Sequence, residues 1–488
     1  MPVDSATLTA QANDQHDLHT PGAVLLVACY ELGHQPLSLA SPLAVLRRAG
    51  YAPNAVDTSV DELTDEALLS ARLIAIATPM HTALRLGVRV AERVRVLNPD
   101  ATICFYGLYA TLNAEYLLQA HADALIGGEY EQTLLALADA LASDGALTPE
   151  RTPPGVRTRE TTAQPVLKRL PFVAPARESL PAPRQYAHLV RGETVVPAGY
   201  VEASRGCLHT CLHCPITPVY GGRFFVVPRA TVLEDIRAQV AQGVGHITFG
   251  DPDFLNGPGH SLAIARALHA EFPDVTFDAT IKVEHILERR EIIVELGQLG
   301  CAFVVSAVES LSEDVLHHLA KGHSRADVVE ALDILSAAGI PMRPTFVAFT
   351  PWTAAADYLE LLAFVADHDL IEHIDPVQYS IRLLVPPGSA LLQAEDTPQW
   401  IGALDQAAFS YRWAHSDQRM DELQRAIAAL VESAARDATP TADTFAAVCA
   451  LATETLGMPL PTAESRYHQR MSSRSKRPIP HLTEAWFC

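Results

Sequence analysis

Arg205-Gly-Cys-Leu-His-Thr-Cys-Leu-His-Cys-Pro215 carries three cysteines, Cys207, Cys211 and Cys214, within eight residues. Three soft thiolates in one loop fall one short of the four that close an iron–sulfur cube, which leaves one iron open to a substrate or cosubstrate. A structural zinc site is the competing reading, with His209 or His213 as a fourth ligand. Zinc sites usually come as two paired knuckles, however, whereas these thiols share one loop after the strand-like Tyr200-Val-Glu-Ala-Ser204. Disulfides fit less well. The other cysteines (Cys29, Cys104, Cys301, Cys449 and Cys488) are scattered over 488 residues, a usage suited to a reducing cytoplasm.

Outward from this loop, an αβ run extends over residues 199–392. Its expected strands are Tyr200–Ser204, His246–Gly250, Val275–Thr280, Phe303–Val308, Met342–Phe349 and Val377–Leu383. Strands alternating with helices at this spacing form a partial (β/α)6 barrel, with chemistry at the carboxyl ends of the strands. Upstream, residues 146–198 are punctuated by proline and read as a linker. Residues 21–145 alternate again: Ala23–Ala28, Leu73–Ala77, Thr102–Tyr106 and Ala124–Ile126 are short apolar runs separated by helical stretches. That pattern predicts a doubly wound, Rossmann-like domain. Residues 1–20 are polar and aperiodic and read as a disordered arm, and residues 393–488 read as a helical region with a tail. The fold class is therefore α/β, with a helical C-terminal region.

With 57 acidic against 36 basic residues the formal charge is −21, which repels a polyphosphate partner and argues against nucleic acid. No apolar stretch reaches the length of a membrane span and no basic leader precedes an apolar run, so the expected location is the cytoplasm.

The cysteine spacing resembles the cluster loop of the radical S-adenosylmethionine (SAM) superfamily. The resemblance implies a [4Fe-4S] cluster bound by Cys207, Cys211 and Cys214, SAM on the open iron, and an electron donor such as flavodoxin or ferredoxin. It also implies SAM contacts at the strand ends. Asp251 and Asp253 follow the second strand, where the superfamily meets the SAM amino group through charge-assisted hydrogen bonds. Thr280, Lys282 and Glu284 alternate along the next strand end, and Glu309 closes Val304-Val-Ser-Ala-Val-Glu309. Arg343, Gln378 and Tyr379 complete the ring, Tyr379 as a catalytic candidate, and His213 stands where the family usually has an aromatic that touches adenine. The three histidines of Leu316–His323 read as a surface helix and loop rather than a metal site.

The N-terminal segment resembles the cobalamin-binding type of domain, its Ile-Gly-Gly-Glu-Tyr-Glu131 stretch most of all, but lacks the Asp-x-His-x-x-Gly motif that ligates cobalt. His34 and His81 sit in other contexts, His81 at a strand end. The chain as a whole resembles the CUAEP/CCAEP-tail radical SAM proteins of arsinothricin biosynthesis. That likeness implies transfer of the 3-amino-3-carboxypropyl group of SAM to trivalent arsenic, with Cys488 delivering thiophilic arsenite and a selenocysteine codon following it. The alternative is a cobalamin-dependent radical methyltransferase acting on a small molecule; a binding protein with a structural cluster is a third reading.

Overall fold

The computed structural model describes residues 17–394, 397–461 and 479–484. Strands β1 (Val24–Ala28), β2 (Asn54–Asp57), β3 (Leu73–Ala77), β4 (Thr102–Tyr106) and β5 (Ala124–Ile126) are parallel in the order β2-β1-β3-β4-β5, and β6 (Val156–Arg157) joins β5 antiparallel. β1 and β3 are buried along their whole length, so both faces need cover. The twofold alternation of side chains splits them between two cores. Leu25, Val27, Ile74 and Ile76 meet Leu84, Val88 and Ala91 of the helix His81–Leu97, whereas Val24, Leu26 and Leu73 meet Leu39 and Leu43 of the helix Leu37–Arg48 with Leu134 and Leu137 of the helix Glu131–Asp144.

The second sheet is a half barrel. β7 (His188–Arg191) pairs antiparallel with β8 (Thr194–Val201), after which β9 (Ser204–Gly206) and β10 (Phe224–Val226) form a small antiparallel ribbon that frames the cysteine loop. β8 then continues in parallel through β11 (His246–Phe249), β12 (Thr276–Thr280), β13 (Cys301–Glu309) and β14 (Met342–Phe346). Their apolar side chains, among them Phe249, Phe277, Val304 and Phe346, share one core with the C-terminal helices Gln418–Arg436 and Thr441–Leu456. In the first of these helices Met420, Leu423, Ile427 and Val431 form the buried stripe that an amphipathic helix presents to its core.

Several expectations change here. The stretch Val377–Leu383 is not a strand: Pro376–Ser380 is a 3₁₀ turn, and only a single bridge between Phe349 and Arg382 keeps the sixth position. Proline at the start removes a ladder donor and favours the turn. The 3₁₀ turn points Tyr379 into the core, fully buried against Phe445 and Tyr358, so the catalytic assignment of Tyr379 does not hold. β12 stops at Thr280, and Lys282 and Glu284 belong to the start of the helix Val283–Glu288 rather than to an alternating strand end. The span read as a linker contains β6 and β7. The C-terminal region adds a hairpin of β15 (Ile401–Asp405) and β16 (Ser410–Trp413), and β17 (His481–Leu482) pairs with β7 at the sheet's edge. Residues 1–16 and Cys488 lie outside the described residues, and with them most of the expected arm and the arsenite-delivery role.

Candidate functional site

The cysteine loop is built on the β9–β10 ribbon. Gly206 is the pivot: its φ is +76°, and a Cβ there would stand 2.4 Å from the Arg223 carbonyl oxygen and 2.6 Å from the Tyr220 ring. Only glycine turns the chain there without a clash. The Cys207 N–H then donates to the Arg223 carbonyl at 3.1 Å, Cys214 N–H to the Cys211 carbonyl at 3.2 Å, and Leu212 N–H to the Leu319 carbonyl at 3.0 Å. Asn256 Oδ1 accepts from Leu208 N–H at 3.3 Å. This was not legible in the sequence, where Asn256 is one polar residue in an apolar turn.

Burial pushes the Cys214 thiol up to about 12 and raises Cys207 as well, and the neighbouring cysteines of the loop add to the rise. Such thiols give up their protons when a metal takes them. A tetrahedral zinc would hold its sulfurs about 3.8 Å apart. Among the described residues the three sulfurs do not converge as a single-ion trio; His209, Asp253 and His285 do. Nor do the neighbouring histidines serve as the fourth ligand of a zinc ion. His209 points to Asp253, with Nε2 3.4 Å from Oδ2, and His213 Nε2 sits 3.2 Å from Glu309. The donor set therefore fits a cube with one iron left to an outside ligand.

Glu309 ends β13 with a φ of +65°, a conformation rare for a residue other than glycine and a mark of local strain. It stands 3.5 Å from Lys321 and 3.2 Å from His213. Burial alone would raise its carboxyl, but Lys321 and His213 outweigh it and hold the group at about 2. A carboxyl depressed below its ordinary value of 4.5 stabilises the fold above that value and loses the contribution as pH falls towards 2. Glu309→Gln is accordingly expected to cost on the order of 3 kcal/mol near neutrality by leaving Lys321 unpaired, and the difference should close between pH 4.5 and 2. Urea unfolding of the cluster-free protein across that range reads this directly; a pH-independent difference would exclude the charge as its cause.

The remaining expected contacts divide into groups. Both oxygens of Asp251 are taken by the Ala203 N–H and the Ser204 hydroxyl, so it pins the approach to the cysteine loop instead of reaching outward. Burial pushes its carboxyl up to about 7. Asp253 caps the turn Phe254–Asn256 through the Leu255 N–H and faces His209 and His285. Thr280 ends β12, half-buried. Lys282 Nζ donates to His209 Nδ1 at 3.1 Å and is ion-paired with Glu284. Arg343 reaches Asp375 at 3.0 Å while its Nη1 stays buried without a hydrogen-bond partner, and Gln378 accepts from the Phe346 N–H at 2.9 Å.

Arg205, two residues before Cys207, is the contact that the sequence did not announce. Its Nη1 lies 3.1 Å from Glu129 and 2.7 Å from Glu131, its Nε lies 2.7 Å from Glu202, and the guanidinium sits near the Tyr130 and Phe172 rings. The Glu129-Tyr-Glu131 stretch that suggested cobalamin thus clasps the root of the cysteine loop. At the same sheet's carboxyl edge His81 Nε2 donates to the Ala408 carbonyl at 2.8 Å, and its ring stands edge-on to Tyr109 and Phe409.

Residues 201–355 match the model of the Radical SAM superfamily, a span that begins at the end of β8 and runs beyond β14. This segment is similar to radical SAM domains. Over longer stretches the chain is 24% identical to an uncharacterized methyltransferase of Pyrococcus horikoshii, covering 72% of this chain and 76% of that protein. It is likewise 24% identical to the hopanoid C-3 methylase of Methylococcus capsulatus, covering 65% and 62%. Among solved structures it is similar to OxsB, a cobalamin-dependent SAM radical enzyme with aqua-cobalamin and SAM bound (TM-score 0.66, 16% identity, 84% of this chain and 66% of that one). It is also similar to the methyltransferase TsrM of Kitasatospora setae with cobalamin and a [4Fe-4S] cluster (TM-score 0.56, 18% identity, 71% and 70%). The chain spans less than two thirds of the hopanoid methylase and of OxsB. The structural likenesses bear out the two-domain α/β fold. Among the described residues no helix is long and apolar enough to cross a membrane.

Proposed function

We propose that this chain is a radical SAM methyltransferase acting on a small molecule, with cobalamin as its methyl carrier. The observation that carries the reading is the junction of the domains: the carboxyl edge of the first sheet meets the cysteine loop of the second through Glu129, Glu131 and Arg205. A carrier on that edge would lie beside the SAM site. The similarity to the curated methyltransferases and to cobalamin-bound structures supports the same assignment. Arsenic appears in none of those names, and the tail that suggested arsenite delivery is outside the described residues.

A bound cluster would supply one electron to the SAM sulfonium, and bound cobalamin would supply a methyl-accepting cobalt. What the chain itself contributes is position and charge. Cys207, Cys211 and Cys214 would hold the cluster and leave one iron free for SAM. The unpartnered Nη1 of Arg343 is the cationic donor available to a carboxylate. Glu309 stays ionised at any working pH, and with Lys321 and His213 it fixes the floor of the site.

The test is fragment analysis of SAM. Anaerobically reconstituted protein is incubated with SAM and a strong reductant, with and without hydroxocobalamin, and the products are identified by mass spectrometry. 5′-Deoxyadenosine together with cobalamin-dependent S-adenosylhomocysteine is the expected outcome. Methylthioadenosine formed only when arsenite is present would overturn methyl transfer in favour of aminocarboxypropyl transfer to arsenic.

A further inference from the structure

We infer that His209, Asp253 and His285 form a second metal site, distinct from the iron–sulfur cluster, that takes a single divalent ion such as zinc or ferrous iron. Three separate elements supply it: the cysteine loop gives His209, the turn after β11 gives Asp253, and the helix Val283–Glu288 gives His285. One ligand atom of each lies within 4.8 Å of the other two. Nothing in the superfamily resemblance calls for this trio.

The stronger observation is how these atoms meet. Oδ2 lies 2.6 Å from His285 Nδ1 and 3.4 Å from His209 Nε2, so one buried carboxylate oxygen gathers both imidazoles. Asp253 is only 2% exposed, so its free oxygen has no water to turn to. Two imidazole nitrogens with one carboxylate are the donor set of open zinc sites and of ferrous facial triads, and both leave positions for a further ligand.

The surroundings suit a bound ion with one adjustment. Lys282 donates to His209 Nδ1, and its ammonium opposes a cation. Glu284, ion-paired with Lys282 and 3.7 Å from the same Nδ1, can accept the Nδ1 proton once Nε2 is ligated, the usual outer-shell role of a carboxylate behind a metal-bound histidine. Glu288 adds a further negative charge near His285. The ion would tie the cysteine loop to the helix after β12 and offer its open positions to an oxygen or sulfur donor of the substrate.

The test uses the full chain with its cluster reconstituted. Zinc is added, excess is removed by desalting, and iron, sulfide and zinc are counted separately; zinc affinity is read by competition with a chromophoric chelator. The expected result is about one zinc per chain beyond the cluster iron, with affinity at least tenfold weaker in both Asp253→Asn and His285→Ala while iron and sulfide are unchanged. Equal zinc retention in the wild type and both variants, or none in any of them, overturns the site. Loss of iron without loss of zinc would instead count against the cluster assignment, so the two readings fail separately.

Discussion

Exchange of Cys211 for alanine is expected to abolish SAM cleavage, with activity falling more than about 10³-fold, since even loss of an outer-shell partner of a metal ligand costs 10–100-fold. Cys211 is buried, and its carbonyl also accepts the Thr217 hydroxyl at 2.8 Å and the Cys214 N–H. Those backbone contacts survive the substitution, so the loop should keep its shape while the cube loses one of its three protein ligands. Iron and sulfide counts and the charge-transfer absorbance of the reconstituted protein check the result. An alanine variant that retains a full cluster and cleaves SAM would remove the premise on which the site is built.

The second large effect falls on stability. Arg205→Ala strands Glu129 and Glu131 in the interior beside the part-exposed Glu202, where breaking a buried ion pair by deleting one partner costs about 3–5 kcal/mol. Thermal unfolding followed by circular dichroism should show the first transition lowered by on the order of 10 °C. Arg205→Lys should rescue only part of this, because an ammonium cannot present the planar fork that meets several carboxylates at once. Cluster retention should drop in parallel, since the residue roots the cysteine loop. Unchanged stability in Arg205→Ala would mean that the three carboxylates take up protons at little cost and that the junction contributes nothing.

Local periodicity carried most of the fold. The five-residue apolar runs at Val24–Ala28 and Leu73–Ala77 announce parallel strands covered on both sides, and the structure divides their side chains between two cores as that reading requires. The tight cysteine spacing carried the cluster loop in the same way. What escaped depended on distance along the chain. The run Val377–Leu383 looks like a strand but turns at Pro376, and no local pattern says that Tyr379 will face Phe445. Asp251 and Asp253 were legible as polar residues at a strand end, yet their partners Ser204, His209 and His285 come from other segments. Arg205 could be read only as a residue near the cysteines, because its meaning lies in the pairing with Glu129 and Glu131.

The pairing of β17 with β7 bears on biosynthesis. His188 and Thr483 join through hydrogen bonds across a sequence separation of 295 residues. On the ribosome the rim strand of the half barrel therefore waits, unlatched, while the whole intervening polypeptide is made, and an uncovered strand margin of that kind invites pairing with another nascent chain. Translation that halts before residue 481 should leave a product prone to self-association although its cluster loop and both domain cores are already complete.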